Sequence, residues 1–203
     1  MARRKRTAAY SDEHVAEFPG TVVIDTREQL GYGFASVTHD PESDTDDVSE
    51  NYTPFDFTSI PADLANGGGL LRIPTVVDTL PSGDYSLRGH ETRVAVERKS
   101  ISDLFRTIGQ ERRRFVDELE RLSEYVIAYV VVEAEWSEIL SGPPRHSKLR
   151  PLTIHRSVTA WEQRYPRVHW RMMPGRSYAE VVTIRILQRY MSETQAKVKD
   201  NES

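Results

Sequence analysis

The sequence predicts an α/β layered domain, a mixed β-sheet flanked by helices. Short β-branched or apolar runs recur at Thr21–Ile24, Val94–Val96 and Val126–Val132. Between and after them, apolar residues repeat at helical spacing, as in Phe115, Leu119 and Leu122 or Val181, Ile184 and Leu187. Strands that alternate with amphipathic helices build a sheet covered on its faces. A length of 203 residues, with 38% hydrophobic and 29% charged residues, suits one folded domain with tails.

In order, residues 1–19 are expected to be a flexible basic tail, opened by Arg3–Arg6. The domain is expected over residues 20–191. Thr21–Ile24 is a buried strand ending in the polar cluster Asp25-Thr26-Arg27-Glu28, and a strand end is a usual place for a site in an α/β sheet. Taken alone, that cluster is better accounted for by an ordinary helix cap or turn. An acidic loop is expected at about 38–52, and Phe55, Phe57, Ile60 and Leu64 suit a short helix or irregular cover. Leu70–Leu80 reads as extended. Tyr85–Leu87 and Arg93–Glu97 form a hairpin around Gly89-His90. Ser100 or Ser102 caps the next helix, and Gly109 interrupts it. Helices follow at roughly 111–124, at 136–140, at 152–164 and at 178–190. Strands are expected at 126–133 and at 168–170, the first buried on both faces because it is continuously apolar. Residues 192–203 read as a polar tail.

Several classes are excluded or disfavoured. No run of eighteen apolar residues exists to span a membrane, and no apolar core follows the basic start as a secretory signal requires. The absence of cysteine removes disulfides and thiolate-bound metals, which agrees with a cytoplasmic location. The net charge is -4, but it is unevenly placed. Residues 20–97 hold 4 Lys/Arg and 14 Asp/Glu, a balance of -10, whereas residues 98–190 hold 17 and 11, a balance of +6. Carboxylates that gather a metal and arginines that gather phosphates would leave such a pattern, as would two uneven solvated faces.

The chemistry concentrates between Gly83 and Asp103. Asp84 follows a turn, and Glu97 and Lys99 sit two apart at the end of an apolar strand, so their side chains share a face. Mg²⁺ or Mn²⁺ takes one or two protein carboxylates, with water and substrate phosphate completing the shell. Asp84 and Glu97 are the natural pair, with the main-chain carbonyl of Arg98 as a further ligand. Lys99 can orient the attacking water or offset phosphate charge, while Arg98 should face the other way. This set suits metal-assisted phosphodiester hydrolysis. Glu-x-Lys on a strand is also common as a plain ion pair, and Asp103 suits a helix N-terminus for dipole reasons alone. Arg112, Arg113 and Arg114 open a helix where the dipole disfavours cations, which hints at phosphate contact.

Gly83-Asp84-Tyr85 followed by Val96-Glu97-Arg98-Lys99-Ser100-Ile101-Ser102-Asp103-Leu104 resembles the signature of XPF-type structure-specific endonucleases. Asp25-Thr26-Arg27-Glu28 is similar to the family's upstream Asp-x-Arg-Glu element. Arg112–Phe115 and Val130–Glu133 resemble its later segments. The resemblance implies a restriction-endonuclease-like fold and Mg²⁺- or Mn²⁺-dependent cleavage of branched, flapped or forked DNA. By position it implies that Asp25, Asp84 and Glu97 are metal-site acids and Lys99 the catalytic lysine. Glu28, Arg98 and Asp103 would support the site, and Arg27 and Arg112–Arg114 would face DNA. Glycine-dependent helix-hairpin-helix modules are not expected, since Gly175 alone follows Gly142. The expectation is therefore a stand-alone bacterial or phage-like form, acting at the nucleoid and able to pair as a homodimer through its later helices. A non-catalytic DNA-junction module and a Holliday-junction resolvase are the alternatives.

Overall fold

The computed structural model describes residues 15–28, 51–56, 70–145 and 147–201. The basic start (1–14), the acidic loop up to residue 50 and the Gly67–Gly69 turn lie outside the described residues, as do Phe57, Ile60 and Leu64.

The strands are β1 (Val15–Glu17), β2 (Val22–Asp25), β3 (Asn51–Asp56), β4 (Leu70–Asp78), β5 (Tyr85–Leu87), β6 (Val94–Lys99), β7 (Ile127–Val132) and β8 (Val168–Met172). All eight join one sheet. β1 and β2 both run parallel to β4, pairing with its first and last residues in turn, and β3 pairs antiparallel with it. β5 is antiparallel to both β2 and β6, and β6, β7 and β8 are parallel to one another. The sheet is therefore mixed, as the sequence predicts.

A parallel neighbour needs a crossover. Between β6 and β7 it is made by α1 (Ile101–Gly109) and α2 (Arg112–Ser123). Between β7 and β8 it is made by α3 (Trp136–Ser141) and α4 (Pro151–Arg164), and α5 (Arg176–Asn201) closes the chain. Ser100 is the residue that caps α1, its Oγ accepting from the Asp103 N–H at 3.1 Å.

Two apolar layers hold the helices to the sheet. On one face Ala95, Ala128, Val130 and Val132 pack against Leu104, Phe105, Phe115, Leu119, Ile154 and Trp161. On the other, Val94, Val96 and Val131 pack against Ala179, Ile184 and Leu187 of α5. β6 and β7 are thus covered on both sides, which is why they read as continuous apolar runs. Each fully buried Leu, Ile or Phe contributes about 1.5–3 kcal/mol.

Four expectations need correction. Val15–Glu17 is a strand rather than part of a flexible tail, and residues 51–56 are strand rather than the end of an acidic loop or a helical cover. The last helix does not stop near Tyr190 but runs to Asn201, so residues 192–201 of the expected polar tail are helical. The apolar stripes on α4 and α5, offered as dimer contacts, are spent on the sheet. Among the described residues, no helix is long and apolar enough to cross a membrane.

Candidate active site

The site forms where three strand ends meet. β2 ends at Asp25 and β6 ends at Lys99, and antiparallel β5 begins just after Asp84, so these termini lie at one end of the sheet. Two main-chain bonds tie them: Asp25 N–H donates to the Asp84 carbonyl at 2.8 Å, and Asp84 N–H donates to the Val96 carbonyl at 2.9 Å. Gly83 makes the approach possible. Its φ is +83°, and a Cβ there would stand 3.0 Å from the Ala95 Cβ.

The cleft, about 420 Å³, is lined by Asp84, Glu97, Lys99, Glu118, Arg114 and Arg106, with Asp25, Arg27, Glu28, Arg98 and Asp103 also at its wall. Asp84 Oδ2 accepts from the Arg98 main-chain N–H at 2.7 Å. Burial and the neighbouring Glu97 raise the Asp84 pKa well above the usual carboxylate range. Lys99 Nζ pairs with Glu97 Oε1 and lies 5.0 Å from the centre of the Phe115 ring. Burial opposes the charge on Lys99, yet Glu97, Glu118 and Asp84 together keep its pKa above the ordinary lysine value.

The Arg98 carbonyl faces this same edge. In a strand the N–H and C=O of one residue point to one side. Val96 and Arg98 address Asp84 while the Lys99 carbonyl accepts from Glu133 N–H on the β7 side, so the alternation is regular. The Arg98 side chain turns to the opposite face from Glu97 and Lys99, as the strand period predicts. It binds Glu133 with two hydrogen bonds (2.7 and 3.0 Å) and Glu28 with one (3.2 Å), all three side chains being about nine-tenths buried. Arg176 adds a longer contact of 3.6 Å to Glu133.

Other expected residues take different parts. Asp25 is buried, and both its oxygens are engaged twice: Oδ1 accepts from Arg27 N–H and Nε, and Oδ2 from Arg27 Nη2 and the Leu80 N–H. Burial works against the Asp25 charge, but these bonds lower its pKa overall. With four acceptor positions filled, Asp25 can ligate an ion only by releasing Arg27, so the metal role expected of it does not fit this arrangement. Arg27 is accordingly held against Asp25 and the Leu80 carbonyl. Asp103 is bonded by Ser100 Oγ at 2.6 Å and by Arg106 at 2.7 Å, which makes it an anchor of the α1 N-terminus.

The three arginines opening α2 divide. Arg114 lines the cleft. Arg113 is exposed and is not among the lining residues. Arg112 donates to Ser157 Oγ at 2.7 Å and lies over the Trp161 ring at 4.7 Å, so it braces α4 instead of facing the cleft.

Glu118 was missed by the sequence reading. It lies three residues after Phe115 and four before Leu122, on the buried stripe of α2, where an apolar residue is expected. A carboxylate in that position was the available signal. Burial first, then Glu97, with which it shares a hydrogen bond, push its pKa up to about 7.

Three carboxylates, Asp84, Glu97 and Glu118, thus crowd one lysine at a half-buried site. Two of them hold protons unusually tightly. A donor set of oxygens with surplus negative charge suits a hard divalent cation. Among the described residues, no three ligating side chains stand close enough to enclose an ion by themselves.

The sequence matches the ERCC4 domain family profile over residues 55–179, well over half the chain. Among solved structures, XPF from Aeropyrum pernix is similar, with a TM-score of 0.50 and 19% identity over 84% of this chain and 61% of that one. A second structure of XPF from Aeropyrum pernix, in complex with DNA, gives a TM-score of 0.47 and 20% identity over 86% of this chain and 66% of that one. The chain therefore spans about three fifths of the length of its archaeal relative. No curated protein matches it. The shared fold is the restriction-endonuclease-like arrangement that the motif resemblance implied. Because the family profile covers the very stretch that carries the Gly-Asp and Glu-Arg-Lys motifs, the chain belongs to the ERCC4 domain family.

Proposed function

We propose that this protein is a divalent-metal-dependent DNA endonuclease that hydrolyses phosphodiester bonds at branched, flapped or forked DNA. The observation that carries the reading is the convergence of Asp84, Glu97 and Lys99 in one cleft, within a chain of the ERCC4 domain family.

In this proposal Asp84 and Glu97 hold Mg²⁺ or Mn²⁺, with the Arg98 carbonyl on the same edge as a third oxygen. When bound, such an ion lowers the pKa of water and stabilises charge on phosphorus. Lys99 keeps its proton at neutral pH, because its acidic neighbours hold it there. It therefore acts as a donor and a positive charge toward the attacked phosphate, not as the base in the resting site. Arg114 and Arg106, at the cleft wall, are placed to meet flanking phosphates. Asp25, Arg27 and Asp103 hold the strand and helix ends, while Glu28, Arg98 and Glu133 lock the back of β6.

A non-catalytic junction module is the less favoured reading, because the acids and the lysine are all present and converge. A Holliday-junction resolvase would use the same site and differs only in substrate. A homodimer belongs to the proposal with one constraint: its contacts lie outside the Ile154–Val158–Trp161 and Ile184–Leu187 stripes, which the sheet covers. The test is cleavage of end-labelled single-strand, duplex, flap, fork and four-way DNA with Mg²⁺, Mn²⁺ or a chelator. Metal-dependent cutting of flap or fork above the linear substrates supports the proposal, and binding without cutting in every condition removes it.

A further inference from the structure

A second concavity, of about 620 Å³, lies between α5 and the early part of β7, with Arg93 just before β6 and Arg171 of β8 also at its wall. It is separate from the cleft in two respects. Ile127 and Tyr129 lie on the face of β7 that also carries Val131 and packs under α5, whereas Glu97 and Lys99 share the Ala95 face. The register pairs Val94 with Ile127 but Lys99 with Val132, so the two sites also lie toward opposite ends of the central strands.

Five cations, Arg93, Arg171, Arg185, Arg189 and Lys197, line this groove against one acid, Glu193. Five minus one gives a local balance of +4, on a chain whose formal net charge is -4. The floor is apolar and aromatic, formed by Ile127, Ile186 and Tyr129, with Val126 half exposed at its edge. Two of the cations are held in place by tyrosine side chains, one by a ring face and one by a hydroxyl. Arg171 lies 5.3 Å from the Tyr129 ring centre. Arg93 Nε donates to the Tyr190 hydroxyl at 3.2 Å, and that hydroxyl meets His90 Nδ1 at 3.2 Å. Neither Arg93 nor Arg171 forms an ion pair among the described residues.

A cationic rim over an aromatic and aliphatic floor is the arrangement that holds a polyanion whose monomers carry flat, weakly polar faces. We propose that this groove binds a single strand of nucleic acid, its phosphates along the arginines and its bases over Tyr129 and the aliphatic floor. A duplex keeps its bases stacked inside and has no use for such a floor; an unpaired strand does. The inference stands apart from the cleavage reading, because binding here needs neither metal nor cutting.

The experiment is fluorescence anisotropy of a labelled oligothymidine about twelve nucleotides long, in chelator, over a salt series. The full chain is compared with Arg171→Ala, with Arg189→Glu/Lys197→Glu, and with the cleft variant Lys99→Ala/Arg114→Ala. The double reversal uses exposed helix positions and so tests the groove even where Arg171→Ala disturbs the sheet face. Expected are affinity falling with salt, a loss of at least about tenfold in the double reversal, and a salt slope reduced by about 0.7 per cation removed. The cleft variant removes the phosphate contacts proposed for Lys99 and Arg114 and should still lose less affinity than the double reversal in the groove. Equal binding by wild type and groove variants overturns the proposal. So does a wild-type dimer that the groove variants split while oligothymidine binding is unchanged, since the face then belongs to a second copy.

Discussion

The Asp84 carboxylate accepts a hydrogen bond from the main-chain N–H of Arg98 at 2.7 Å. This bond stitches the Ser82–Asp84 turn to the end of β6 and sets Asp84 beside Glu97. An amide oxygen can accept the same bond without the charge. Asp84→Asn should therefore fold, melting at or above the wild-type temperature because a crowded negative charge is gone. Its cleavage rate should fall by about 10²-fold or more, as for loss of a charged group from a reacting site. Thermal melting beside single-turnover cleavage checks both halves.

Gly83 gives a second prediction. The added methyl of Gly83→Ala meets the Ala95 Cβ at 3.0 Å, and φ at +83° is unfavourable for alanine. The cost should be about 1–3 kcal/mol, read from denaturant midpoints. Cleavage should fall along with stability, because the same turn carries Asp84. Wild-type stability in Gly83→Ala would show that the turn relaxes freely.

Glu118 predicts a pH dependence. Its folded-state pKa, about 7, lies above the ordinary 4.5, so the folded chain holds the extra proton. A raised carboxylate leaves stability intact below the ordinary value and lowers it as pH rises through that window. In chelator, wild type should lose stability from this group as pH rises from about 4.5 through about 7. Glu118→Gln should lack that loss and be the more stable protein at pH 8. Parallel melting curves across the range for the two proteins would count against the buried, crowded carboxylate.

The back of β6 behaves differently. Arg98, Glu28 and Glu133 form a nearly buried ion cluster, and removing one partner strands the others. Glu133→Ala should cost about 3–5 kcal/mol, measured by urea unfolding. Replacing a member with an apolar residue of similar size in concert with its partner should cost much less. A cost under 1 kcal/mol for Glu133→Ala would mean that water reaches the cluster.

Much of this architecture was legible in the sequence because the central strands and helices obey simple periods. Val94–Val96 and Val126–Glu133 read as buried strands, the second one residue longer at each end than the observed Ile127–Val132, and Phe115, Leu119 and Leu122 marked the core side of α2. The misses have physical causes. β3 contains Pro54, which argues against a central strand, and β3 lies at the outer side of β4, where proline is tolerated. β1 is too short to show a period. The apolar stripe of α5 fades after Tyr190, but Glu193, Gln195, Ala196 and Lys197 are good helix formers that extend it. Within the site, Asp84, Glu97 and Lys99 follow from spacing. The engagement of Asp25 did not, because it depends on the Leu80 N–H, 55 residues away in sequence. Arg112 turned out to brace α4 because Ser157 and Trp161 lie within its reach, a tertiary fact that helix polarity could not supply.

In the proposed function Lys99, held by Glu97 in the cleft, serves phosphodiester cleavage. The direct measurement is single-turnover cutting of flap and fork DNA in Mg²⁺ by wild type and Lys99→Met, each with its melting temperature and DNA affinity measured in chelator. Methionine keeps the packing over Phe115 and removes the charge. The expected result is a folded variant that binds DNA within a few-fold of wild type and cuts about 10³-fold more slowly or worse. A folded Lys99→Met protein that cuts flap or fork DNA at the wild-type rate would contradict it.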